Sequence, residues 1–395
     1  MVAGGCAGTP RGVLIPTSYA SLSSAPVDML VATTRKPSNQ PGEMFSGERG
    51  PTLSFAEIAV SIPPDSIRKP GSVQWPAELP GNPATDFVTV KAHTLDRSQA
   101  MSWISRTAKR VPRRQALVFI HGFNNLFEEA VYRFAQIVHD TGADVVPVLF
   151  TWPSRGSVLA YGYDQESTSY SRNALEQVLR TLAEDPNVGE ITILAHSLGN
   201  WLALETLRQM TIRDRRLSIK IRNVLLAAPD VDVDLARAAF RDMGPERPKL
   251  TLFVAQDDEA LAISQRFWGD RVRLGDIDPK QEPLRSELAR DGVMILDLTQ
   301  LSSGDPLNHS KFAESPELVQ LIGRRLASGQ LLTDANVSIG DRLVFRATRA
   351  AGSIGAAAGW VASVPVALVD PGTRKGLPGH LAAIGRQFDQ TVTRP

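Results

Sequence analysis

A single cysteine, Cys6, stands in the 395-residue chain, so no disulfide can close within it and no cysteine-based metal site can be built. Net charge is nearly absent as well, at +1. That balance argues against nucleic acid or a strongly acidic partner. No His-Glu-x-x-His pair and no glycine-rich phosphate loop occurs, so zinc, nucleotide and dinucleotide chemistry drop out and no cofactor is expected. The acidic run Asp230, Asp232 and Asp234 resembles a calcium loop only at first sight. Its sixth position is not glycine and its twelfth is Arg241, which excludes an EF-hand; an aspartate-rich helix start explains it better. No internal repeat is evident.

What the chain does have is material for a core. Hydrophobic residues make up 43% and charged residues 22%, which rules out wholesale disorder. Residues 1–27 are rich in Gly, Ala, Ser, Thr and Pro and read as a tether. Within them, Ala3 to Gly8 around Cys6 resembles the end of a bacterial lipobox, without the charged and apolar regions that normally precede one. Lipidation and chance coincidence stay open there. Residues 28–330 carry the folded domain, and 331–395 form an Ala/Gly-rich extension. Residues 350–369 hold no charge and have the length of a bilayer span with small-x-x-x-small spacing. Pro365 and the Ala/Gly/Ser content favour packing against the domain or a partner over insertion. Membrane association through the N-terminus or 350–369 is thus one expectation, with an envelope location if Cys6 is lipidated and a cytoplasmic one otherwise.

Period and composition predict strands at 28–34, 53–62 and 86–92, set antiparallel at one edge of a larger sheet. From residue 98 onward helices and strands alternate. Strands are expected at 116–120, 145–151, 191–195, 224–228, 250–255 and 293–298. Helices are expected near 98–110, 126–140, 166–184, 198–213, 232–241, 258–267 and 313–327. The basic cluster from Arg106 to Arg114 reads as a solvated face or turn. Such alternation predicts an α/β fold, a mostly parallel central sheet with helices on both faces. Reactive groups in such sheets gather at the strand C-terminal ends.

One stretch organises the rest. Ile191 to Leu194 reads as a buried strand and Leu198 onward as a helix, with Ser197 on the turn between Ala195 and Gly199. So abrupt a turn strains the serine backbone and demands small neighbours, which is the mechanical logic of a nucleophile elbow. Such chemistry also needs a base, an orienting acid and an oxyanion hole. Strand 116–120 runs into His121-Gly122-Phe123-Asn124, so the N–H groups of Phe123 and Leu198 are the expected oxyanion donors. His121 braces this loop rather than moving protons. His309, in the polar loop after the last strand, is the expected base. His93 and His139 fall in a strand and a helix tail, His380 lies in the extension, and His196 lines the site. Asp258, at the end of strand 250–255, is the expected acid, with Asp257 its close rival and Asp230 the runner-up. His121, Asn124, Trp152 and His196 are expected to line the substrate site. Tyr161, Tyr163 and Trp201 add aromatic walls, and the short connection after Ala228 predicts an open site without a lid. For Trp152 a buried packing role weighs equally.

Taken together, these residues resemble the α/β-hydrolase fold, and more narrowly an uncharacterised branch of bacterial esterase/lipase-like hydrolases. The likeness rests on His121-Gly122-Phe123-Asn124-Asn125, on Val148 to Gly156, and on Ala195-His196-Ser197-Leu198-Gly199-Asn200. Ala227-Ala228-Pro229-Asp230 and Asp258-Glu259-Ala260-Leu261 complete it. It spans about residues 28–327, and it implies a Ser197–Asp258–His309 triad acting on a small-molecule or lipid ester, with no substrate specified. An acyltransferase using the same triad, and a non-catalytic envelope-anchored scaffold, are the alternatives it leaves.

Overall fold

The computed structural model describes residues 11–17 and 26–328. Three strands open the chain: β1 (Val27–Pro37), β2 (Phe45–Ser61) and β3 (Val88–Leu95). After α1 (Arg97–Arg110) the expected alternation follows: β4 (Gln115–Ile120), α2 (Phe127–Thr141), β5 (Val146–Thr151), α3 (Tyr161–Glu184), β6 (Glu190–His196) and α4 (Gly199–Asp214). Next come β7 (Ile221–Ala227), α5 (Val233–Met243), β8 (Lys249–Val254), α6 (Glu259–Phe267), α7 (Leu284–Arg290) and β9 (Met294–Asp297). Two helices close the described chain, α8 (Lys311–Glu314) and α9 (Pro316–Ser328).

The strands form one sheet in the order β3-β2-β1-β5-β4-β6-β7-β8-β9. From β1 to β9 every neighbouring pair is parallel, and β2 and β3 add an antiparallel edge. The fold is therefore the expected α/β architecture. Its central strands are buried on both faces, which is why they read as unbroken apolar runs. Successive side chains enter opposite cores: Val118 and Ile120 join the α1, α3, α4 and α5 side, Leu117 and Phe119 the α2 and α9 side.

The structure differs from the sequence reading in four places. β2 begins at Phe45, well ahead of the strand expected at 53–62. It extends there by irregular pairing with β1, and a side chain at Gly50 would meet the Arg35 carbonyl at 2.7 Å. The expected helix 313–327 is two, because Ser315 is extended ahead of Pro316, which starts α9. Residues between α6 and β9 carry α7, which has no expected counterpart. Residues 11–17, within the expected tether, dock on the domain: Val13 and Leu14 are buried, and the Thr17 N–H donates to the Thr89 carbonyl at 2.9 Å. Lys109 and Arg110 of the basic cluster end α1, where cations complement the helix dipole. Cys6, His380 and residues 350–369 lie outside the described residues. Among the described residues no helix is long and apolar enough to cross a membrane.

Candidate active site

Ser197 follows β6 and precedes α4 with φ +51°, the left-handed backbone that the strained elbow demands. Close approach explains the small neighbours. A side chain at Gly199 would meet the His121 carbonyl at 2.3 Å, and one at Gly122 would meet Ser197 Cβ at 2.7 Å. Asn200 pins the turn, its amide nitrogen donating to the carbonyls of Ser197 and Ala227 at 2.9 Å each. The serine side chain reaches a cavity of about 410 Å³ that His309 also lines.

His309 sits in the loop between β9 and α8. Asp305 shapes that loop by accepting from the backbone N–H groups of His309 and Ser310, both at 2.9 Å. The His309 ring donates from Nδ1 to Asp258 Oδ2 at 2.7 Å. Because Nδ1 carries that proton, Nε2 is the basic nitrogen in the neutral ring. Burial alone would lower the imidazole pKa, but the carboxylates of Asp258, Asp305 and Asp230 raise it above its ordinary value.

Asp258 is buried and occupies the N-cap of α6, its other oxygen accepting from the Leu261 N–H at 3.0 Å. One carboxylate thus starts a helix and holds the ring. Its rival Asp257 is turned the other way, onto Lys311 Nζ at 2.7 Å from both oxygens. Asp230, the runner-up, accepts from Tyr161 Oη at 2.8 Å and Ser264 Oγ at 2.6 Å and pairs with Arg273 at 3.2 Å. Asp276, near Asp258, is pushed up to about 6 by burial and by that neighbouring charge.

The loop after β4 brings Phe123 and Asn124 to the cavity, with Asn124 at φ +59°. Among the described residues no hydrogen bond engages the N–H groups of Phe123 or Leu198, the latter at the N-cap of α4. Beneath the loop, His121 is neutral and locked. Its Nδ1–H donates to the Gly122 carbonyl at 2.8 Å and Nε2 accepts from the Trp152 N–H at 3.2 Å. Burial, then the charge on Arg35, pushes its pKa down to about 3. Arg35, fully buried on β1, reaches across to the carbonyls of Asn125 and Ser154, both at 2.8 Å, and to Thr151 Oγ1 at 2.7 Å. The buried Asp164 accepts from Ser154 Oγ at 2.5 Å and the Asn124 N–H at 3.4 Å. The ends of β1 and β5 and the start of α3 are thereby tied to the loop after β4, and no single local motif announced Arg35 or Asp164.

Of the residues expected to line the substrate site, Asn124 does. His121 and Trp152 do not: both are buried under the loop, rings stacked at 4.9 Å, with Trp152 Nε1 donating to the His121 carbonyl. His196 does not reach the cavity either. It packs on Phe312 and on His309, donating from Nε2 to the His309 carbonyl at 3.1 Å. Tyr161 is a cavity wall, whereas Tyr163 turns to β2 under Arg155, and Trp201 faces a neighbouring cleft with Leu198. Among the described residues no cluster of metal-ligating side chains occurs.

The family model described as an alpha/beta hydrolase of unknown function (DUF900) matches residues 96–325. A search of the curated proteins gives no match. Among solved structures, an esterase from Pyrobaculum calidifontis is 14% identical, with a TM-score of 0.33 over 60% of this chain and 94% of that one. A fungal esterase from Rhizomucor miehei is 13% identical, with a TM-score of 0.34 over 77% and 85%.

Proposed function

This chain belongs to the family of α/β hydrolases of unknown function matched over residues 96–325, and on that premise we propose that it cleaves carboxylic esters through an acyl-enzyme on Ser197. The observation that carries the reading is the 2.7 Å bond from His309 Nδ1 to Asp258, with His309 and the strained Ser197 on one cavity. Ser197 Oγ attacks the acyl carbon while His309 Nε2 takes its proton. The N–H groups of Phe123 and Leu198 receive the oxyanion, each worth ~10²–10³ in rate by comparison with other oxyanion donors. The C–O bond to the alcohol then breaks as Nε2 returns the proton to it. Water repeats both steps and frees the acid. Asp258 holds the tautomer and stabilises the imidazolium.

Hydrolysis of p-nitrophenyl butyrate by the wild type and by Ser197→Ala tests this directly. The variant should lose on the order of 10⁴-fold or more in kcat while keeping its circular dichroism spectrum. Retained turnover in a folded Ser197→Ala protein would remove the serine from the mechanism.

A further inference from the structure

The cavity beside Ser197 has a composition of its own. Its volume, about 410 Å³, falls within the usual range for small-molecule sites. Val158, Leu159, Leu261, Ile263, Phe267 and Leu307 supply its apolar surface. Three polar side chains in its wall, Asp230, Tyr161 and Ser264, are engaged with one another, while Asn124 stands apart at the exposed edge. Tyr161 and Ser264 both donate to Asp230, whose charge meets Arg273 from behind. Tyr161 then offers its ring, packed edge-on against Phe123 at 5.0 Å and tilted on Phe267 at 5.3 Å. Ser197 and His309 are left as the reactive polar groups at the inner end.

The mouth is apolar too. Leu159 is 73% exposed, Val158 48% and Phe267 41%, on two separate elements, the single turn at Val158–Ala160 and the end of α6. Large side chains left in water around a pocket are informative where the pocket behind them is also apolar.

Resting on the ester-hydrolase reading, we propose that this cavity is an acyl-chain site and that the substrate is an ester of a medium-length aliphatic acid. The carbonyl lies at Ser197 and the chain runs between the 158–160 turn and α6 toward Phe267. Asp230, Tyr161 and Ser264 already satisfy each other, which leaves Asn124, exposed at the cavity edge, as the amide that a polar acyl group would meet.

The test is the series p-nitrophenyl acetate, butyrate and octanoate, each as monomers, with wild type, Leu159→Asp, Ile263→Trp and Ile219→Asp. A fluorophosphonate labelling assay runs alongside each. Burial of each methylene predicts a rise of about fourfold in kcat/KM until the cavity is full. Leu159→Asp, at an exposed position and safe for folding, should lower the octanoate-to-acetate ratio by about tenfold or more. Ile263→Trp should move the preference from octanoate toward butyrate by filling the groove. Ile219, 89% exposed ahead of β7 at the opposite end of the sheet, should leave the ratio as in wild type. A flat or falling series in a protein that labels overturns the acyl-chain site while sparing the hydrolase. A ratio indifferent to both Leu159→Asp and Ile263→Trp overturns it equally. Neither turnover nor labelling in the wild type would sink the ester-hydrolase reading, and this proposal with it.

Discussion

Asp258 holds His309 with one carboxylate oxygen, at 2.7 Å from Nδ1, and caps α6 with the other. These two duties can be separated by substitution. Asn remains a good N-cap but cannot accept from Nδ1–H and stabilise an imidazolium in the same way. Asp258→Asn is therefore expected to lose ~10⁴-fold in kcat with little change in thermal midpoint. Asp258→Ala should lose as much activity and in addition about 0.5–2 kcal/mol of stability from the missing cap. Steady-state kinetics and urea denaturation on the two variants check this.

The pH profile follows from the same contact. The carboxylates around His309 raise its pKa above 6.5 against the opposing effect of burial. The base must be neutral to take the serine proton, so kcat/KM should rise with pH through a midpoint above 6.5. Removing the Asp258 charge takes away the largest of the raising influences, so the residual activity of Asp258→Asn should titrate at lower pH. A midpoint unmoved, or moved upward, would mean that another group governs the acid limb.

The two glycines at the elbow predict different failures. Gly199→Ala places Cβ 2.3 Å from the His121 carbonyl and 2.8 Å from that of Ile120, both main-chain atoms that cannot yield cheaply. It should destabilise the fold by about 1–3 kcal/mol. Gly122→Ala instead presses on Ser197 Cβ at 2.7 Å. A displacement of that kind should reduce kcat about a hundredfold. Thermal midpoints and kcat, measured together, separate the two.

Arg35 is a buried cation whose pKa burial lowers to about 10, so it stays charged at neutral pH. Among the described residues no carboxylate touches it; its shortest bonds go to Thr151 Oγ1 and the carbonyls of Ser154 and Asn125, with the Ser46 carbonyl and His121 Nε2 farther off at 3.4 Å. Arg35→Met leaves those buried oxygens without their donors and should cost at least about 3 kcal/mol. Arg35→Lys keeps the charge but not the fork. Its expected signature is a fall in kcat with KM nearly constant, because Arg35 orders the loop bearing the Phe123 N–H rather than touching substrate.

Much of this was legible in the chain because the signals are local. Alternating apolar strands and amphipathic helices mark β4 to β9, and the tight spacing around Ser197 needs only the steric demands of one turn. The cavity was not legible. Val158, Leu159, Ile263 and Phe267 meet only after α6 docks against the turn before α3, and no periodicity encodes that meeting. Arg35 escaped notice for a related reason: its shortest hydrogen bonds run to β5 and to the loops after β4 and β5, more than eighty positions away. For Trp152 the sequence leaves lining and packing as equal alternatives, and burial under the Phe123 loop decides for packing. The extended β2 was hidden by Gly47, Gly50 and Pro51, residues that suit an irregular edge as well as a loop.

The most direct measurement is the mass-spectrometric location of a fluorophosphonate adduct on the full chain. The account predicts one adduct, on the peptide carrying Ser197, abolished in Ser197→Ala and strongly slowed in His309→Ala. An adduct on any other residue, or equal labelling of wild type and Ser197→Ala, would contradict it.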